Sequence, residues 1–150
     1  MFKIRLEISD ESYDEVKKTL DEHGIETDDE SEYVLTHKGS FPSRIAVRDN
    51  EGTRLIIPVD DIVTIESYGH SIEVHTFDSI YKTSDPLTWY EKTLDPDKFL
   101  RVSSSVIIKT DKIRHITPTL YMKFILKMVN SDKVDVTRNY YSKFKIFFGI

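Results

Sequence analysis

Donor-bearing side chains stand at three points of this 150-residue chain where folded backbone turns outward. Tyr68-Gly69-His70 separates two alternating apolar runs, which puts His70 at the end of a hairpin. An imidazole there can donate to guanine O6 or N7, or bridge to a phosphate; the plainer reading is an exposed turn residue. Arg101 is followed by Ser103, Ser104 and Ser105. Serine hydroxyls are short and read bases ambiguously, directly or through water. Val136-Thr137-Arg138 marks a strand giving way to a helix. A guanidinium at that start can grip guanine with both arms of its fork, the commonest specific base contact. The competing reading of Arg138 is an ion pair with Asp135.

Catalysis finds little support in these residue types. No Gly-rich phosphate loop, nucleophile elbow or HExxH pattern occurs. There is no cysteine, so neither a disulfide nor a thiolate zinc site is available. The histidines at 23, 37, 70, 75 and 115 are scattered, and His70 and His75 alternate to opposite sides of a strand. The expectation is a non-enzyme with no cofactor, no metal and no small-molecule substrate. The start, Met1 to Glu7, is charged and alternating rather than a leader, and no apolar run approaches the ~20 residues of a membrane span. These features point to a cytoplasmic protein.

The net charge of −5 conceals its distribution. Residues 1–40 carry 5 basic and 12 acidic side chains, whereas residues 101–150 carry 10 and 3. A basic back half fits a face for a polyanion, although it can also be ordinary solvated surface.

Local patterns supply the elements that would hold these residues. Phe2, Ile4, Leu6 and Ile8 alternate as a half-buried strand. Asp10 or Ser12, the latter with Glu15 in a capping box, opens a helix with Tyr13, Val16 and Leu20 inward and Gly24 at its end. Residues 26–32 read as an acidic loop and Tyr33–His37 as a second strand. Residues 1–40 are therefore an acidic β-α-β appendage, with Lys38-Gly-Ser-Phe-Pro42 as its boundary. From residue 41 strands dominate: 45–48, 54–57, 62–66, 71–76, 79–82, 106–109, 113–117, 121–128 and 133–136. A short helix is capped by Asp85 with Pro86 at its first position, and a final helix runs from Arg138 with Tyr141, Phe144 and Phe148 inward. In the 121–128 strand, Met122, Phe124, Leu126 and Met128 share the apolar face, and Lys123 and Lys127 the other.

Five segments resemble the LytTR DNA-binding domain of bacterial transcription regulators, in that family's order. They are Ile57-Pro-Val-Asp-Asp-Ile-Val-Thr-Ile-Glu-Ser67, Tyr68-Gly-His70, Lys98-Phe-Leu-Arg-Val-Ser-Ser-Ser105, Val106-Ile-Ile-Lys-Thr-Asp-Lys-Ile113 and Val136-Thr-Arg-Asn-Tyr140. The resemblance covers residues from about 44 to 149. It implies a mainly β fold of about ten strands in three small sheets with short helices, here preceded by the appendage and without a receiver domain.

The resemblance also implies which residues meet double-stranded DNA. His70, Ser104 and Arg138 would contact bases; Arg101, Ser103, Lys109, Lys123, Lys143 and Lys145 would contact the backbone. Ser103 and Ser104 depart from the family, which carries longer donors there, and Lys109 replaces its usual asparagine. For each lysine a solvated surface role is the alternative, and Arg101 can instead brace its loop. The implied function is sequence-specific transcriptional control at repeated sites, read through loops in major grooves. Two copies would bind together as a homodimer on DNA, and a small membrane-bound inhibitor protein is a further partner of some family members. The alternative is a protein-interaction module on the same fold with weakened DNA binding. RNA binding is less favoured, because no pair of sheet-face aromatics for stacking unpaired bases is evident.

Overall fold

The computed structural model describes residues 2–37 and 41–150. The chain divides into two compact units, 1–40 and 41–150. The expected boundary residues Lys38, Gly39 and Ser40 lie outside the described residues.

In the first unit, β1 (Lys3–Glu7) leads into α1 (Asp10–Glu22). The helix begins one turn-entry earlier than the capping box implied. Ser9 is the N-cap, in extended backbone and without a side-chain cap bond, and the Ser12 amide donates back to its carbonyl at 3.1 Å. The acidic run is not all loop. β2 (Glu26–Thr27) pairs in parallel with Lys3 and Ile4, and β3 (Val34–Thr36) pairs on the other side of β1. The backbone ladder needs no apolar side chain, so an acidic pair can join a sheet edge that hydropathy would assign to loop.

The second unit contains ten strands in two antiparallel sheets. β4 (Arg44–Arg48), β5 (Arg54–Pro58), β6 (Ile62–Tyr68), β7 (Ser71–Thr76), β8 (Ile80–Thr83), β9 (Phe99–Arg101) and β10 (Val106–Lys109) form a seven-stranded sheet, ordered β5-β4-β8-β7-β6-β10-β9. α2 (Leu87–Thr93) links β8 to β9. β11 (Ile113–Pro118), β12 (Phe124–Met128) and β13 (Lys133–Val136) form the other sheet, and α3 (Arg138–Phe148) closes the chain. The described residues thus hold three sheets, one of them in the first unit.

Two apolar clusters hold this unit together. Ile62, Ile65, Val74, Ile107 and Phe99 meet Leu87, Tyr90 and Leu94 around α2. Val63, Leu100 and Ile108 face the other way, toward Leu126, Met128, Val134, Val136 and Phe144. β6, β9 and β10 are therefore covered on both faces, which is why they read as continuous apolar runs rather than alternating ones.

Two boundary shifts change the place of a named side chain. α2 begins at Leu87 with Pro86 itself as N-cap, so Asp85 lies outside the helix. β12 begins at Phe124, not 121. Thr119 grips the Lys123 carbonyl with both its amide and its hydroxyl, closing a tight turn in which Met122 takes φ 57. Met122 consequently leaves the apolar face and is about half exposed.

Candidate nucleic-acid interface

Three connections of the second unit meet along one edge. The β6–β7 hairpin turns at Gly69, whose φ of 58 suits the left-handed region, and leaves His70 exposed. Antiparallel pairing places Val106 beside Glu66, so the loop between β9 and β10 sits next to that hairpin. The Ser67 amide donates to the Ser105 carbonyl at 2.8 Å, tying the two directly. The Thr137 amide donates to the Val102 carbonyl at 3.0 Å, which brings the start of α3 to the same loop. His70, Ser104 and Arg138 are all exposed on this edge. A concavity of ≈ 390 Å³ runs between the hairpin and the loop, with His70, Ser104, Ser84 and Thr88 among its walls.

The serine loop is more ordered than its composition implies. Arg101 turns its guanidinium into the loop, donating from Nε to the Ser103 carbonyl at 3.1 Å and from Nη2 to the Ser104 carbonyl at 2.7 Å. Its third nitrogen, Nη1, bonds Glu91 of α2 at 2.8 Å. Each nitrogen of the fork thus bonds the protein, the arrangement of the loop-bracing alternative for Arg101. Ser103 is buried, and its Oγ accepts the Ser105 amide at 3.2 Å. Of the three serines Ser104 alone is exposed, Ser105 being half-buried.

The lysines divide. Lys109 is 2% exposed, its ammonium 2.6 Å from Asp111 and 3.8 Å from Asp60. Its buried ammonium is thus already paired with two largely exposed carboxylates where a phosphate contact was expected. Lys123 is exposed on the β11–β12 turn. That turn lies at the Arg138 end of the sheet, because Phe124 pairs with Val136. Lys145 stands seven residues, two helical turns, beyond Arg138 and shares its side of α3; its ammonium lies over the Tyr141 ring at 5.4 Å. Lys143 is on another side, lining a separate cavity of ≈ 380 Å³ with Glu91, Phe99 and Arg101. Among the ion pairs of the described residues none involves Arg138, so the Asp135 alternative is not realised.

Two groups that the sequence reading left unused support this edge. Glu91 anchors Arg101, a pairing ten residues apart that no local pattern announces. His75 is the other. Its Nε2 lies 2.9 Å from Glu66 and 3.0 Å from Glu73, and its Nδ1 lies 2.9 Å from Asp132. Burial opposes its charge, but hydrogen bonding and attraction from Glu66, with further bonds to Glu73 and Asp132, raise its pKa from 6.5 to about 9. Glu66, His75 and Asp132 have the residue types and proximity of a metal site. Both ring nitrogens face carboxylates, however, which is the arrangement of an imidazolium rather than of a ligand with a free lone pair. The clamp fastens the β12–β13 turn to β7, and Asn130 reinforces it by donating to the Thr76 carbonyl at 3.3 Å. It thereby fixes the small sheet whose last strand, β13, leads into α3.

The second unit thus combines a seven-stranded antiparallel sheet with a three-stranded sheet and a terminal helix, and carries donors on its connecting loops. A solved LytTr DNA-binding domain from Bacillus cereus shares this fold, with a TM-score of 0.69 at 24% identity over 73% of this chain and 99% of that one. The family model described as LytTr DNA-binding domain matches residues 52–149, and the chain belongs to that family. Similar relatives include the transcriptional regulatory protein LytR of Staphylococcus aureus strain N315, 30% identical over 90 residues, 60% of this chain and 37% of that protein. The sensory transduction protein LytT of Bacillus subtilis is 29% identical over 110 residues, 73% of this chain and 44% of that protein. The chain thus spans less than half the length of these relatives. Among the described residues no helix is long and apolar enough to cross a membrane.

Proposed function

We propose that this protein is a cytoplasmic, sequence-specific transcription regulator that reads the major groove of duplex DNA through loops. The observation that carries the reading is the convergence of His70, Ser104 and Arg138 on one edge, joined by the backbone bonds from Ser67 to Ser105 and from Thr137 to Val102. Arg138 grips guanine, His70 donates to a second base edge, and Ser104 reads a third position weakly. Lys123 and Lys145 contact phosphates beside this edge, which positions the domain without specifying sequence; Lys143 contributes at most to the general field. Two copies bind repeated sites together, the second engaging at the effective concentration the first creates. A membrane-bound inhibitor protein is a further partner within this reading.

Mobility shifts across a salt series test it, with duplexes enriched from a random pool and a scrambled duplex of the same composition. Arg138→Ala lowers affinity for the enriched duplex by about 1–3 kcal/mol, roughly 5- to 150-fold, and relaxes selection at one base pair. Equal, weak binding of both duplexes by both proteins would sink the reading. A protein-interaction role on the same fold then becomes the better account. It is favoured by one observation, the exposed apolar residues Leu120, Tyr121 and Ile146.

A further inference from the structure

The loop between β9 and β10 carries Ser104 on four residues without regular secondary structure, and one side chain holds two of its carbonyls. The Arg101 guanidinium takes the carbonyls of Ser103 and Ser104 at 3.1 and 2.7 Å. A trans peptide is planar, with its N–H opposite its C=O. Drawing the Ser103 carbonyl inward therefore turns the Ser104 amide outward, on the same side as the exposed Ser104 residue. The loop then offers a backbone N–H beside a hydroxyl, two donors suited to a phosphate or a base edge.

An arginine at the rim of a polyanion-binding edge would ordinarily be drawn to phosphate. Glu91 prevents this. It sits on α2, directly after Tyr90, which is 1% exposed and whose hydroxyl donates to Thr83 at 2.7 Å. Leu87 and Leu94 fix the same segment in the core. The Glu91 carboxylate holds Nη1 of Arg101 at 2.8 Å, and only about a sixth of the Arg101 side chain is exposed. The order of support runs from core to α2, to Glu91, to Arg101, to the two carbonyls.

We propose that Glu91 and Arg101 are a positioning pair for DNA recognition: the carboxylate holds the guanidinium, and the guanidinium holds the serine loop with the Ser104 amide and hydroxyl turned outward. The inference rests on the DNA-reading function proposed above. Neither residue touches DNA. An acidic residue therefore promotes binding of a polyanion, the opposite of what its charge alone dictates.

That opposition makes the test decisive. The full chain and its Glu91→Ala, Glu91→Gln, Arg101→Lys and Arg101→Ala variants are assayed on the enriched and scrambled duplexes from about 50 to 200 mM salt. Positioning predicts that Glu91→Ala weakens binding to the enriched duplex by about tenfold, the loss of one charge-assisted hydrogen bond. It also predicts that binding to the scrambled duplex is unchanged or tighter. Glu91→Gln, which keeps an acceptor, restores most of the difference. Arg101→Lys, which keeps the charge but loses the fork, weakens specific binding with the salt slope unchanged. If Arg101 instead contacts phosphate, Glu91→Ala tightens binding to both duplexes, and Arg101→Ala lowers the salt slope by about 0.9. That result overturns the pair while leaving the DNA-reading function standing. Should the wild-type chain enrich no sequence, the function itself fails and the pair with it. Amide exchange at Ser104 and Ser105 in the free variants shows whether an affinity loss comes from the loop; equal exchange in wild type and Glu91→Ala overturns positioning.

Discussion

At the scale of single residues, burial separates roles that residue type leaves mixed. Lys109 and Lys123 are both lysines near predicted turns, but one is sealed against Asp111 and the other is open. Asp111 is itself about two-thirds exposed, so removing its partner leaves no uncompensated buried charge. Lys109→Met is therefore expected to change stability by less than about 1 kcal/mol, because an apolar side chain of similar length fills the same slot. DNA binding by that variant retains its salt slope; a drop near 0.9 would place Lys109 on a phosphate after all. His75 makes the pH prediction. Its folded pKa of about 9 exceeds the 6.5 of an unfolded chain, so the stabilisation is complete below pH 6.5 and is lost as pH rises through about 9. Urea unfolding should show wild-type stability declining across that window by on the order of 3 kcal/mol. His75→Gln should start lower and lack the decline. A wild-type profile that is flat from pH 6.5 to 9.5 rules out the charged clamp.

At the scale of elements, α3 joins the contact edge to a core. Arg138 stands at its first residue, while Phe144, 1% exposed, packs near Phe124 and Phe148 at ring centroid separations of 5.1 and 4.8 Å. Phe144→Ala is expected to cost about 3–5 kcal/mol through lost burial and the cavity left behind. Because Arg138 is placed by that helix, the variant should lose specific DNA affinity in parallel. Thermal unfolding and mobility shift read the two effects. Retention of full specificity in a destabilised but folded Phe144→Ala chain would show that the backbone bond from Thr137 to Val102 is enough to place Arg138.

At the scale of the whole molecule, charge is partitioned between the two units. Deleting residues 1–40 removes 5 basic and 12 acidic side chains and turns a net charge of −5 into +2. Both apolar clusters draw their members from residues 45 to 148, so the remaining unit keeps its core. The shortened chain is expected to stay folded and to bind any duplex more tightly at ~50 mM salt, with the gain fading as screening shortens toward 0.2 M. Equal or weaker binding by the shortened chain would mean that the acidic unit contributes more than charge.

Much of the candidate edge was legible locally, because turns and helix starts are local events. Gly69 before His70 favours a hairpin, and Val136-Thr137-Arg138 favours a strand-to-helix change, on local pattern alone. The ordered motifs from residue 57 to 140 likewise pointed to the family. The partners and burial of three side chains were beyond the sequence, each for the same reason. Ser103, Arg101 and Lys109 stand in or beside β9 and β10, strands covered on both faces, and a one-dimensional pattern does not say which neighbour lies above or below. Pairing of β6 with β7 brings Glu66 beside His75, but Asp132, 57 positions beyond His75, joins them only through tertiary packing. The chain's order of residues determined where donors could be offered; tertiary packing decided which of them remain free, because burial and partner choice depend on contacts between segments distant in sequence.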